Sequence, residues 1–231
     1  MSSEQAIGAD RPGVVIFTGP SLHPSKAAKL LDAAYLPPIK RGDLTPFFSS
    51  KPRIVGIIDG EFYQNLAVAP KEVLSLLEAG VAVYGAASTG ALRAVELQRY
   101  GMIGVGSVFR LFRGGVLDAD DEVALAYSNE TYRAVSDPLV NTRYALRAAV
   151  RRGILMRAEA AVIVSTAKRL YFPERTRQLV LSTAREVAGS ERAQKLREFL
   201  ATEAPNVKER DARLLLERIR GDIGRQSTAR D

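Results

Sequence analysis

Val81-Ala-Val-Tyr-Gly-Ala-Ala-Ser88-Thr-Gly90-Ala-Leu-Arg93-Ala-Val-Glu96-Leu97 carries the pattern from which the fold is read. Its front half is a short run of β-branched and small apolar residues, which suits a fully buried parallel strand. From Ser88 onward, Ala91, Leu92, Val95 and Leu97 recur at helical spacing. The chain must turn sharply between the two, and Gly85, Ala86, Ala87 and Gly90 are small enough to allow it. A serine at such a turn projects its hydroxyl over the C-terminal edge of the sheet. There it lies beside a helix N-terminus whose free N–H groups favour negative charge. Ser88 therefore has two readings. One is a nucleophile on an elbow, with Ala86 to Gly90 as a relaxed G-x-S-x-G; the other is a helix N-cap. A phosphate loop fits less well, because the lysine of G-x-x-x-x-G-K-[ST] is missing.

Upstream of this stretch, Val14-Val-Ile-Phe17 reads as a buried strand ended by Thr18-Gly19-Pro20-Ser21. A helix is expected from about His23, with Pro24 in its first turn and Ala27, Leu30 and Leu31 facing inward. Tyr35-Leu-Pro-Pro-Ile39 is a stiff extended link to Lys40-Arg41-Gly42-Asp43. Arg53-Ile-Val-Gly-Ile-Ile-Asp59-Gly60 is a second buried strand with an acidic turn at its end. Pro70-Lys71-Glu72 opens a helix that Gly80 closes. Alternation of strand and helix over residues 13 to 100 predicts an α/β fold, a Rossmann-like parallel sheet with helices on both faces. The turns at Ser21, Asp59 and Ser88 then share one sheet edge, which is where such sheets bind ligands.

Downstream, Gly101 closes a helix, and Gly104-x-Gly106 follows a helix rather than a strand, so it is not a dinucleotide fingerprint. Asp118-Ala-Asp120-Asp121-Glu122 is acidic enough to bind a divalent cation but lacks EF-hand spacing, and a solvated loop before a short strand, Val123 to Tyr127, is the favoured reading. Helices are expected over 138–152, 157–170, 173–188, 190–203 and 206–221, the later ones forming a helical C-terminal region. The organisation expected is a disordered leader over 1–12, an α/β core over 13–155, a helical region over 156–225 and a frayed tail over 226–231.

At 231 residues and 46% apolar, the chain can bury a substantial core. It holds no cysteine, which excludes disulfides, thiolate zinc sites and a cysteine nucleophile. No apolar run approaches the ~18 residues of a membrane span, and the N-terminus lacks the pattern of a secretory signal, so a cytoplasmic address is expected. The net charge of +7 is spread over amphipathic helices and interleaved with glutamate, without an aromatic-rich basic patch. Nucleic acid is therefore not the expected partner. No metal and no cofactor is expected either.

A serine nucleophile calls for a base. The single histidine, His23, follows the Gly19-Pro20-Ser21 turn, at a helix start where a surface role suits it equally. Lys71 would form a Ser–Lys dyad if burial lowered its pKa. Glu72 suits a helix start and is also able to orient a water or a base. Arg93, one turn into the helix after Ser88, is placed either to clamp a carboxylate or to pair with Glu96 or Glu72.

Several ordered blocks resemble the TfuA-like protein family. They are Phe17-Thr-Gly-Pro-Ser-Leu22, Leu36-Pro-Pro-Ile-Lys-Arg-Gly-Asp-Leu44, Gly56-Ile-Ile-Asp-Gly60 and Lys71-Glu72. Further on come Gly85-Ala-Ala-Ser-Thr-Gly-Ala-Leu-Arg-Ala94, Glu96-Leu97, Gly101-Met102, Gly104-Val-Gly106 and Asp120-Asp-Glu-Val-Ala124. The resemblance spans roughly residues 14 to 155. It departs at Ala87-Ser88-Thr89-Gly90, where the family more often has Ser-Ser-Met-Gly, so of that serine pair only Ser88 remains. Beyond residue 155 the likeness thins to Phe172-Pro-Glu-Arg-Thr176 and Lys208, Asp211 and Ala212.

The resemblance implies a role in thioamidation of ribosomally made peptides. TfuA-like proteins accompany YcaO enzymes, which use ATP to activate a backbone amide before sulfide replaces its oxygen. The TfuA-like partner is thought to release that sulfide from a thiocarboxylated, ubiquitin-like sulfur carrier protein, or to recruit the carrier. On this reading Ser88 attacks the thiocarboxylate as a serine-type hydrolase, with Lys71, His23 and Glu72 as candidate helpers. Thr18, Gly19, Pro20, Ser21, Arg41, Asp43, Asp59, Gly60, Thr89, Gly90 and Arg93 would surround the substrate. The expected partners are the YcaO enzyme, the sulfur carrier and the precursor peptide. A binding module that recruits without cleaving is the competing class.

Overall fold

The computed structural model describes residues 13–61 and 66–228. The leader expected over 1–12 lies outside them. The chain divides into two compact units, one formed by the residues up to Val116 together with those from Glu209 onward, the other by Leu117–Lys208.

The first unit is built on five parallel strands, β1 (Val14–Phe17), β2 (Ala34–Leu36), β3 (Ile54–Ile57), β4 (Ala82–Ala86) and β5 (Ile103–Val105), in the order β2-β1-β3-β4-β5. The chain reverses its direction of travel across the sheet between β1 and β3, and this switch point is where ligands settle in doubly wound sheets. Every residue of β1 and β3 is buried, as uninterrupted apolar runs require when both sheet faces are covered. Val14, Ile16, Ile54 and Tyr84 point to one face and join a core with Ala27 and Leu31 and with Ala212, Leu215, Leu216 and Ile219 of the last helix. The opposite face takes α3 (Pro70–Glu78) and α4 (Thr89–Leu97). It also takes the edge-to-face pair of Phe17 and Phe47, whose ring centroids are 6.2 Å apart.

Three expectations change here. The stiff link at Tyr35 begins as the edge strand β2, because Val15, Ile16 and Phe17 offer it a parallel ladder with Ala34, Tyr35 and Leu36. Likewise Ile103-Gly104-Val105 is the fifth strand, paired with Tyr84, Gly85 and Ala86, so Gly104 lies in a strand. The helix expected from His23 is a single turn, α1 (Pro24–Ala27), and a short α2 (Thr45–Ser50) precedes β3. After β5 comes α5 (Gly106–Arg113).

The second unit holds α6 (Leu139–Arg151), α7 (Arg157–Lys168), α8 (Arg177–Ala188) and α9 (Ser190–Thr202). A core of Leu146, Ala149, Ile163, Val180, Leu181, Ala184, Leu196 and Phe199 holds them together. The helix expected to begin at Pro173 begins at Arg177, after a 3-10 turn over Phe172–Glu174. The strand expected over Val123 to Tyr127 is absent; only Tyr127 bridges Ala134. The acidic run before it is solvated only in part: Asp118 and Asp120 are exposed, but the other two acidic residues are not. Glu122 is fully buried and doubly bonded to the Arg143 guanidinium at 2.9 and 2.7 Å, and Asp121 pairs with the buried Arg175. Arginines thus supply the positive charge that this acidic turn needs. Among the described residues no group of carboxylates and histidine is arranged to hold a metal ion, and no helix is long and apolar enough to cross a membrane. The last helix, α10 (Val207–Thr228), passes the expected end at 221 and continues through Gly221 and Gly224.

Contact between α4 and the sheet depends on two missing side chains. A Cβ on Gly90 would lie 1.8 Å from the Ile57 carbonyl oxygen, and one on Gly85 would lie 2.1 Å from the Gly90 carbonyl oxygen. Both obstacles are backbone atoms, which cannot rotate aside. Gly90→Ala is accordingly expected to cost at least about 3 kcal/mol, or to abolish the cooperative transition, in urea denaturation. A Gly224→Ala variant, where an added Cβ on α10 would meet nothing within 4 Å, serves as the tolerant control.

Candidate functional site

At the carboxyl ends of β1, β3 and β4 the three turns do converge, and a single side chain ties two of them. Asp59, immediately after β3 and 1% exposed, accepts hydrogen bonds from Gly19 N at 3.0 Å, Ser21 N at 2.9 Å and Ser21 Oγ at 2.5 Å. A buried carboxylate is tolerable when charge-assisted donors surround it. Here those donors come from the β1 turn across the switch point. Thr18 is also buried and donates from Oγ1 to the Leu22 carbonyl at 2.7 Å, closing the turn on itself. The Gly19 and Ser21 amides, expected to face a ligand, are therefore satisfied by the chain's own Asp59.

The β5–α5 turn shows the same arrangement. Asp211 of α10 is fully buried and accepts the Val108 amide at 2.7 Å. It sits so close to Gly106, at φ 92°, that a Cβ there would be 2.4 Å from its carboxyl carbon. Burial pushes its pKa up, while the bond from Val108 and the neighbouring Arg210 guanidinium pull the other way.

Among the described residues no carboxylate fills the β4–α4 turn, where the Gly90 amide donates instead to the Ile58 carbonyl at 3.4 Å. Ala87 takes a left-handed conformation, φ 64°, which costs a non-glycine residue on the order of 1 kcal/mol. Its methyl is buried in the core that α10 covers, and there a glycine would leave a gap. Ser88 then occupies the N-cap position with its side chain capping no helix amide. Its backbone N–H bonds to Ala86 O at 2.7 Å, and its carbonyl receives Ala91 N at 2.9 Å. Thr89 opens α4, 1% exposed, and its Oγ1 is a buried hydroxyl without a hydrogen-bond partner among the described residues. It presses on Gly60, where a Cβ would come within 2.8 Å of that oxygen. This turn thus joins a nine-residue helix N-terminus to an uncommitted serine hydroxyl and an orphaned threonine hydroxyl.

The remaining sequence candidates are distributed around this point. His23 is exposed and caps α1, its Nδ1 accepting Ser25 N at 3.2 Å. Lys71 is exposed on the first turn of α3. Glu72 closes its own helix start through Ala69 N at 3.0 Å and reaches Gly42 N at 2.7 Å. It thereby holds the Lys40–Asp43 turn, in which Asp43 accepts Lys40 N at 2.9 Å and pairs with Lys40 Nζ at 3.3 Å. Arg41 is exposed, and its backbone N–H bonds to Leu66 O. Arg93 donates from Nε to Val68 O at 3.0 Å and pairs with Glu96, one of the two partners expected for it. None of these side chains is hydrogen-bonded to Ser88. What sequence reading missed is the orphaned Thr89 hydroxyl and the role of Asp211, since nothing local to α10 signals a partner about a hundred residues upstream.

A family model described as TfuA-like protein matches residues 59–176. No curated protein matches the chain.

Removing a buried, unpartnered hydroxyl ought to relieve a desolvation penalty of about 1–3 kcal/mol. Thr89→Val, which keeps the shape, is therefore expected to raise the thermal midpoint of the ligand-free protein; a fall would mean that the hydroxyl has a partner. Asp59→Asn is expected to act in the opposite sense, losing about 2–3 kcal/mol in urea denaturation, because an amide cannot accept three donors on two ionised oxygens.

Proposed function

The chain belongs to the TfuA-like protein family, and from that membership we propose that it is the sulfide-supplying partner of a YcaO enzyme in thioamidation of ribosomal peptides. Family membership supports the general role. The observation that carries the finer reading is the β4–α4 turn, whose serine caps nothing and whose threonine hydroxyl is buried without a partner. The two neighbouring edge turns hold Asp59 and Asp211 against their amides, and the β4–α4 turn is left for an anion from outside. A thiocarboxylated C-terminus of a ubiquitin-like sulfur carrier protein has the charge and the slenderness for it.

In this proposal Ser88 Oγ attacks the carbonyl carbon, and the developing oxyanion is stabilised by the Thr89 N–H at the N-terminus of α4. The serine proton passes to the thiocarboxylate sulfur as the C–S bond breaks, so hydrosulfide departs and a seryl ester remains. Water then hydrolyses the ester, releasing the carrier carboxylate and one proton. Because the sulfur itself accepts the serine proton, it is no obstacle that neither His23 nor Lys71 is hydrogen-bonded to Ser88. Ser88 is 2% exposed, so access of the carrier tail requires a local opening at this turn.

A second reading has an observation in its favour. Among the described residues no base is hydrogen-bonded to Ser88, and His23 is engaged in capping α1; the same turn would then hold the carrier tail for YcaO without cleaving it.

Purified protein incubated with thiocarboxylated carrier, without YcaO, separates the two. The hydrolytic reading expects sulfide, with Ser88→Ala lowering the release about a thousandfold or more while the circular dichroism spectrum and carrier binding persist. Since Ser88 makes no capping bond, the variant is expected to lose well under ~1 kcal/mol of stability. Free sulfide is expected to restore thioamidation by the partner enzyme. Sulfide release by folded Ser88→Ala at the parental rate would end the nucleophile reading.

A further inference from the structure

Between α6 and α7 of the helical unit lies an open groove of about 870 Å³ whose walls are basic. Arg143, Arg147 and Arg151 follow one another at i, i+4 and i+8 along α6, and Arg157 and Lys168 stand on α7. Placing like charges one turn apart costs a helix a few tenths of a kcal/mol per pair, and α6 contains no acidic residue to offset it. Glu122 neutralises Arg143, and Asp118 lies 3.5 Å from Lys168. Arg147, Arg151 and Arg157 have no ion pair among the described residues, and Arg147 and Arg151 are exposed.

The floor is apolar. Leu146 and Val150 supply it from α6, and Ala160, Ala161 and Val164 from α7. Residues four apart on each of two facing helices form the ridges into which a third helix packs. We propose that this groove is a docking surface for an acidic amphipathic helix of a partner protein, its apolar edge on the floor and its carboxylates against Arg147, Arg151 and Arg157. Charge complementarity selects this occupant. A second copy of the chain, at +7, would bring like charge to like. The floor carries no aromatic ring, so nucleic acid would find phosphate contacts but no surface on which bases stack. The inference is independent of Ser88 and holds whether or not the protein cleaves a thiocarboxylate.

The test uses the full chain and a fluorescein-labelled synthetic helix of about 18 residues, with leucine at every third or fourth position and glutamate on the other faces. Fluorescence anisotropy at ~0.1 M salt is expected to show saturable binding that weakens as salt rises. The triple variant Arg147→Ala, Arg151→Ala, Arg157→Ala is expected to weaken it at least tenfold. A second variant, Ala161→Glu, places a carboxylate in the groove at an exposed helix position and is expected to do the same without disturbing folding, checked by circular dichroism. A scrambled peptide of identical composition is expected to bind at least tenfold more weakly. Failure of the amphipathic peptide to bind overturns the proposal. So does equal binding of the scrambled peptide or a single-stranded oligonucleotide, unchanged affinity in both folded variants, or blockage of the groove by self-association.

Discussion

The carboxylate of Asp59 is the contact on which the rest of the sheet edge depends. It lies at the end of β3, on one side of the topological switch point, and takes both amides and the hydroxyl of the β1 turn on the other side. Without an internal anion, the end of β1 would present unpaired N–H groups in a nearly dry environment, a costly arrangement. With it, the two strands that separate the halves of the fold have their carboxyl ends tied together. The Gly60 position next to it is then pressed against Thr89, which fixes where α4 begins.

Asp211 repeats the device at the other end of the edge, and the pair gives the site its logic. Each buried carboxylate is matched to a turn that would otherwise attract an anion from solution. The β4–α4 turn is framed between these occupied neighbours. Its backbone is forced through a left-handed alanine, and its first two side chains carry hydroxyls that the protein does not use for its own structure. Strain and unsatisfied polarity at one buried point are features that folding alone does not favour. They coincide with the residues on which the family resemblance is densest.

Much of this was legible beforehand because it is local. Uninterrupted apolar runs at Val14, Ile54 and Val81 announce strands buried on both faces, and small residues from Gly85 to Gly90 announce the tight turn. Those signals located Asp59 and Ser88 at one edge. Short segments were harder. Three-residue strands such as Ala34–Leu36 and Ile103–Val105 are specified by the ladder offered by a neighbour, and Pro37 or Gly104 masks their own propensity. The buried pairing of Glu122 with Arg143, and of Asp121 with Arg175, was invisible for a related reason. A charged run looks solvated until the arginines that reach it, Arg143 of α6 and Arg175 of the turn before α8, are known. Likewise, the spacing of Ala212, Leu215, Leu216 and Ile219 proclaims an amphipathic helix but not the surface it covers.

That surface has a bearing on how the protein is made. Gly56 lies under Leu215 and Ile219 of the last helix, and the Tyr84 hydroxyl donates to Asp222 at 2.8 Å. One face of the sheet thus waits for a segment synthesised more than a hundred residues after its strands, with the whole helical unit emerging in between. During that interval Ile16, Ile54 and Tyr84 are exposed on the nascent chain, and parallel strands of this kind assemble slowly even when complete. The helical unit, rich in near-neighbour contacts, is free to fold while the sheet is still open. Burial of that sheet face therefore has to wait for the last helix, which is synthesised only after the whole helical unit.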